Sequence, residues 1–148
     1  MAQNASIARS TYEAWNDRDF DRFAEVLAKG EVIAMGSGDR WEGASGARQF
    51  AEMWYEAFPD GKIEFRTITD AGNTVVIEFT GRGTHKGTLH SPMGDIPATG
   101  KSLTLQLCDV WSFASDGTPT EVHTYFDTAS MMAQLGLLPQ PATAGAMA

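Results

Sequence analysis

The spacing of apolar side chains changes once along this chain, near Lys62, and that change limits the possible folds more than any other feature. Before it, side chains recur at helical spacing: Ile7, Thr11, Ala14 and Trp15 share one face, and Phe20, Phe23, Ala24 and Leu27 share another. After it, Ile63-Phe65-Thr67, Val75-Ile77-Phe79, Leu103-Leu105-Leu107 and Val122-Thr124-Phe126 each recur with the period of two that belongs to a strand. Three helices followed by four long strands give an α+β domain, expected over residues 1–138.

Turn chemistry divides the elements. Asn16-Asp17-Arg18-Asp19 separates the first two helices, and Asp19 can cap the second because its carboxylate accepts from an orphan backbone N–H. Residues 31–35 and 40–41 read as a small hairpin across Gly36-Ser37-Gly38-Asp39, and a third helix over 45–58 stops at Pro59-Asp60-Gly61. Ala71-Gly72-Asn73 and Ser115-Asp116-Gly117 are hairpin turns, so the long strands should be antiparallel neighbours. Residues 87–100, with Pro92, Gly94 and Pro97, are expected to form a loop at the mouth of a pocket, a candidate lid. A last helix over 129–135 ends at Gly136, and residues 139–148 read as a flexible Pro/Ala/Gly tail.

Charge excludes some partners. A net charge of -8 repels phosphate backbones and anionic lipid, so neither nucleic acid nor a membrane surface is expected. The single cysteine, Cys108, has no intramolecular disulfide partner, no apolar run is long enough to cross a bilayer, and the polar first ten residues suggest a cytoplasmic protein. His85, His90 and His123 lack metal-ligand spacing and Gly36-Ser37-Gly38 lacks a third glycine, so no metal and no cofactor is expected.

On the last strand, Glu121, His123, Tyr125 and Asp127 share one face. If that face lines an apolar pocket, burial would raise a carboxylate toward the range where it both takes and gives a proton. Asp127 could serve as that base, or it could cap the last helix through residues 128–130. His123 lies about 13 Å from Asp127 by strand rise, so a partnership needs Tyr125 or a substrate between them. His85 shares a strand face with Phe79 and could reach the pocket from another side. The aromatic residues suit a flat ligand, with Trp54 and Trp111 expected to reach a cavity and Trp15 a further contact, although the same side chains also serve as core.

Several strings in order resemble the SnoaL-like polyketide cyclases of the nuclear transport factor 2-like superfamily. They are Tyr12-Glu13-Ala14-Trp15-Asn16 with Asp19, Ala57-Phe58-Pro59-Asp60, Gly83-Thr84-His85-Lys86-Gly87, Ile96-Pro97-Ala98-Thr99-Gly100-Lys101, Asp109-Val110-Trp111 with Phe113, and Tyr125-Phe126-Asp127 followed by Gln134-Leu135-Gly136. The resemblance implies a cone-shaped fold, a curved antiparallel sheet wrapped around three N-terminal helices with a pocket between, and a homodimer formed through the outer sheet face. It also implies an acid/base carboxylate near the end of the last strand, where Asp127 stands, and a helix tyrosine, Tyr12, that donates to a substrate carbonyl. Such cyclases carry a histidine on the preceding strand, where this chain has Trp111 and Phe113. The expected function is cofactor-free acid/base catalysis on a small apolar cyclic or polyketide-like molecule, of cyclase or isomerase type. The alternatives are a non-catalytic binding protein for an apolar metabolite, a dehydratase, and an epoxide hydrolase, for which Arg66 or Arg82 would supply the cation.

Overall fold

A computed structural model describes residues 2–91 and 94–138. The expected tail at 139–148, and Pro92 within the expected loop, lie outside the described residues.

Helix α1 spans Ala2–Asn16 and α2 spans Phe20–Val26. Asp19 caps α2, its Oδ1 accepting from the Arg22 N–H at 3.1 Å. The turn between the helices holds Arg18 at φ +58°, a left-handed conformation unusual for a side chain with a Cβ. Its guanidinium is held by donation to the Pro59 carbonyl at 2.9 Å and by stacking over Tyr55, 4.3 Å from the ring centroid. Those contacts tie the turn to Tyr55 and Pro59.

Strands β1 (Glu31–Ala34) and β2 (Arg40–Glu42) form the expected hairpin, and α3 spans Gly43–Ala57. The long strands are β3 (Lys62–Asp70), β4 (Thr74–Thr84), β7 (Ser102–Phe113) and β8 (Pro119–Phe126), with α4 (Thr128–Gln134) after them. They join one six-stranded sheet in the order β2-β1-β8-β7-β4-β3. All its pairings are antiparallel except β1 with β8, which is parallel and sets Val32 beside Val122.

The core lies between the inner sheet face and the helices. Ala8, Ala47 and Ala51 are fully buried, small enough to let α1 and α3 sit close on Val75, Ile77, Phe79 and Trp111. A second cluster at the other end joins Ala57 and Phe58 to Leu103, Leu105, Met131 and Leu135.

The expected lid has structure of its own. Strands β5 (Leu89–Ser91) and β6 (Gly94–Ile96) pair antiparallel, and Leu89 is buried in the second cluster with Ile96 packed against it. The segment is a docked hairpin because its one apolar register pair, Leu89 and Ile96, points at the protein. Among the described residues no helix is long and apolar enough to cross a membrane.

Candidate acid–base site

Strand β7 presents Leu103, Leu105, Leu107, Asp109, Trp111 and Phe113 in one alternating register. Five of these side chains are apolar, and the sixth is a carboxylate. The register is the inner one, so Asp109 is only 6% exposed.

Helix α1 brings Tyr12 to it. The Tyr12 hydroxyl donates to Asp109 Oδ2 at 2.5 Å and accepts from the Trp111 Nε1–H at 2.9 Å. The tyrosine ring is fixed by Phe65 and Phe79, with centroids at 5.6 and 5.1 Å. Asp109 Oδ1 is buried and has no hydrogen-bond partner. Thr124 is the register partner of Asp109 on β8, and its hydroxyl favours the ionised carboxylate, but no bond of hydrogen-bond geometry reaches Oδ1.

Burial dominates the electrostatics. It pushes the Asp109 carboxyl up from its ordinary value to about 7, against the opposing hydroxyls of Tyr12 and Thr124. The Tyr12 phenol is raised well above its ordinary range, by burial first and then by the neighbouring Asp109. Asp109 therefore exchanges a proton near neutrality while Tyr12 keeps its own.

Asp109, Tyr12, Trp111 and Thr124 belong to the wall of a cavity of about 120 Å³. That volume is comparable to the roughly 150 Å³ of an engineered apolar cavity that binds benzene. Trp15, Phe50 and Trp54 complete its aromatic side, and Lys62 and Arg82 lie at its exposed end. The other hydroxyls in the wall are engaged: Thr11 donates to the Ile7 carbonyl at 2.8 Å and Tyr55 to the Trp15 carbonyl at 2.6 Å.

The residues singled out from sequence separate into two groups. Tyr12, Trp15, Trp54 and Trp111 are in the cavity wall. Asp127, His123, Tyr125 and His85 are not, and the expected grouping of Asp127, His123 and Tyr12 in one site does not form. On β8 it is Val122 and Thr124 that line the cavity, so the alternating polar set faces away from it. His123 bonds through Nε2 to Glu121 at 2.9 Å, and Tyr125 is 44% exposed. Asp127 is exposed and caps α4, its Oδ1 accepting from the Ser130 N–H at 3.1 Å. Of the two roles open to Asp127, the geometry forms the cap.

His85 does share the inner register of Phe79, but Phe58 stacks on it at 5.3 Å and stands between it and the cavity. Its Nδ1 accepts from the Thr99 N–H at 3.2 Å, which places the ring proton on Nε2, and burial lowers its pKa. Arg66 and Arg82 pair with Gln106 at 3.2 Å and Glu64 at 3.4 Å, neighbours on the solvent side.

Tyr12 has a different partner from the expected carbonyl. Its one proton goes to Asp109. The residue that sequence reasoning passed over is Asp109 itself, although its signal was present: a carboxylate in step with five apolar side chains on one strand.

The cap makes a separable expectation. Asp127→Asn, an equally good N-cap, should leave both stability and proton-transfer activity unchanged, whereas Asp127→Ala should cost about 1 kcal/mol in urea denaturation with activity retained. Loss of activity in folded Asp127→Asn would return the catalytic role to that residue.

Residues 5–135 match the family described as SnoaL-like polyketide cyclase. A comparison with curated protein sequences gives no match. Among solved structures, a protein from Jannaschia sp. CCS1 assigned to the SnoaL-like polyketide cyclases superposes with a TM-score of 0.79 at 20% identity, covering 93% of this chain and 94% of that one. IdmH from Streptomyces antibioticus, assigned as a polyketide cyclase, gives 0.71 at 25% identity over 90% and 99%. A protein from Catenulispora acidiphila DSM 44928 with a ketosteroid isomerase-like fold gives 0.72 at 17% identity over 91% and 97%.

Proposed function

Because this chain belongs to the SnoaL-like polyketide cyclase family, we propose that it is a cofactor-free acid/base enzyme acting on a small apolar cyclic or polyketide-like molecule, with Asp109 as the group that moves the proton. The observation that carries this reading is the unpartnered Oδ1 of a buried carboxylate in the wall of an aromatic cavity. A buried acceptor left unsatisfied costs about 1–3 kcal/mol, and a fold keeps such a cost where a ligand relieves it.

In the reaction, Oδ1 of ionised Asp109 takes a proton from a carbon next to a carbonyl, and the electron pair moves into that carbonyl to give an enolate. The same carboxyl returns the proton to a new position, or the enolate carbon attacks a second carbonyl of the same molecule, whose alkoxide then recovers the proton. A group titrating near 7 suits both directions, since neither protonation state is costly at neutral pH. Oδ1 is buried, so seating the substrate has to shift the wall enough to bring a carbon within reach of it.

The wall offers little to an oxyanion. Tyr12, Trp111, Thr11 and Tyr55 all spend their protons within the protein, leaving Thr124 and, at the exposed end, Lys62 and the Glu64-paired Arg82. The favoured substrate is therefore one whose own second carbonyl or aryl ring spreads the charge.

Exchange of solvent deuterium into cyclic β-keto esters and aryl ketones, followed by NMR, tests the proposal without knowledge of the natural substrate. The expected result is exchange faster than in buffer, rising to a plateau through pH 7. Compounds that bind with no acceleration of exchange would favour the binding-protein reading instead.

A further inference from the structure

The proposed reaction uses one oxygen of Asp109, and the reason it is one and not either lies two residues further along β7. The indole N–H of Trp111 can only donate, and it donates to the Tyr12 oxygen. With that lone pair engaged, the Tyr12 proton turns to Asp109 Oδ2, 2.5 Å away. Were a proton to settle on Oδ2 instead, it would have to be donated back to the Tyr12 oxygen, and the phenol proton would be left buried with no acceptor. The added proton therefore goes to Oδ1, the oxygen that has no partner.

We propose that Trp111 is a positioning residue for the acid–base chemistry: its indole N–H, acting through Tyr12, directs proton exchange to Oδ1 of Asp109. The sequence suggests Trp111 as a flat wall for the ligand. The structure adds a polar task, since its ring is stacked on Phe113 at 5.9 Å and its one N–H is committed to Tyr12. The direction of the effect follows from the chain of donors. A hydrogen bond into the Tyr12 oxygen makes its O–H a stronger donor, and a stronger donor favours the ionised carboxylate. The same indole bond lowers the Tyr12 pKa against the burial that raises it.

This inference rests on Asp109 being the proton-transfer group, but its test needs no turnover. Asp109 is followed by carboxyl ¹³C NMR across pH 4–10 in the wild-type protein, Trp111→Phe, Tyr12→Phe and the double variant. Trp111→Phe keeps an aromatic ring and should move the Asp109 midpoint upward by roughly 0.3 pH unit, in line with bond-to-bond strengthening of 10–30%. Tyr12→Phe should move it upward by roughly 1–2 units, because the direct bond to a charged oxygen is lost. If Trp111 acts only through Tyr12, the double variant should titrate with Tyr12→Phe. A merely structural role would add a second shift on top, and that result overturns the proposal, as would an unmoved midpoint in Trp111→Phe.

A wild-type measurement guards against a variant that fails to fold. The Trp111 indole proton resonance should titrate with the Asp109 midpoint, and an indole resonance that stays constant through that midpoint counts against the relay. A working relay with no catalysed exchange would leave this inference standing while removing the proposed function.

Discussion

Asp109→Asn is expected to stabilise the protein at pH 8 while removing its proton-transfer activity. The asparagine keeps the shape of the carboxyl and can accept from Tyr12, but it cannot take a proton. General acid/base catalysis contributes about 10²–10⁴-fold, so deuterium exchange should fall by that factor or to the buffer rate.

The stability sign follows from linkage. Asp109 has its folded pKa raised from the ordinary 3.8 to about 7, so between those values the folded protein holds a proton that the unfolded chain has released. Asp109 therefore makes stability fall as pH rises from about 4 to about 7, by about 4 kcal/mol in all, with no further change from this group above that. The asparagine variant lacks this slope. At pH 8 it should be more stable by about 3 kcal/mol, or roughly 5–10 °C in Tm, after allowance for its buried NH₂. At pH 4, where wild-type Asp109 is neutral, only the buried NH₂ distinguishes the two, and the variant should be the less stable by about 1 kcal/mol. A wild-type and variant pair with parallel stability-against-pH curves would show that Asp109 is ionised throughout, and the acid/base reading would lose its basis.

The second large effect is structural. Gly87→Ala should destabilise the protein by about 3 kcal/mol or more, at the upper end of what overpacking costs. A Cβ at Gly87 would lie 1.9 Å from the Glu56 carbonyl oxygen, which is backbone of α3 and cannot swing aside as a side chain would. The Gly87 and Lys86 N–H groups also both donate to the Ala57 carbonyl, at 3.2 and 3.0 Å, so the strand end is bound to the end of α3 there. Phe58, one residue on, lines the cavity and covers His85. Thermal denaturation should show the loss, and the cavity should bind apolar rings more weakly as Phe58 moves. A variant with wild-type Tm would mean that the approach of the two backbones relaxes at little cost.

Some of this was legible residue by residue. Alternation placed the long strands, Asp19 was recognisable as the cap of α2, and the turns at Gly72 and Gly117, both with positive φ, marked the two hairpins. The string Gly83-Thr84-His85-Lys86-Gly87 was noticeable as a string, but no local rule says why Gly87 must be glycine. The obstacle is the Glu56 carbonyl, 31 residues away in sequence and supplied only by the fold.

The site divides in the same way. Period-two alternation sorts a strand into two faces, and on β8 it correctly separated Val122 and Thr124 from Glu121, His123 and Tyr125. It does not say which face meets the helices. Expecting titratable residues to line the pocket turned the strand outside in. The helices packed on the apolar face, since burying Val122 releases water from carbon surface whereas burying Glu121 would strip a charge of its hydration. On β7 the same rule contained the answer, because Asp109 keeps step with leucines and so has no escape from the core. What the sequence determined by itself was the sorting of the long strands into two faces, except in β3, where a bulge between Phe65 and Thr67 shifts the register and leaves Thr67 exposed. What only the tertiary structure decided was that Tyr12, 97 residues earlier, meets that carboxylate at one oxygen and leaves the other buried without a hydrogen-bond partner. Contacts at that separation depend on how α1 crosses the sheet, and the period of neither element records it.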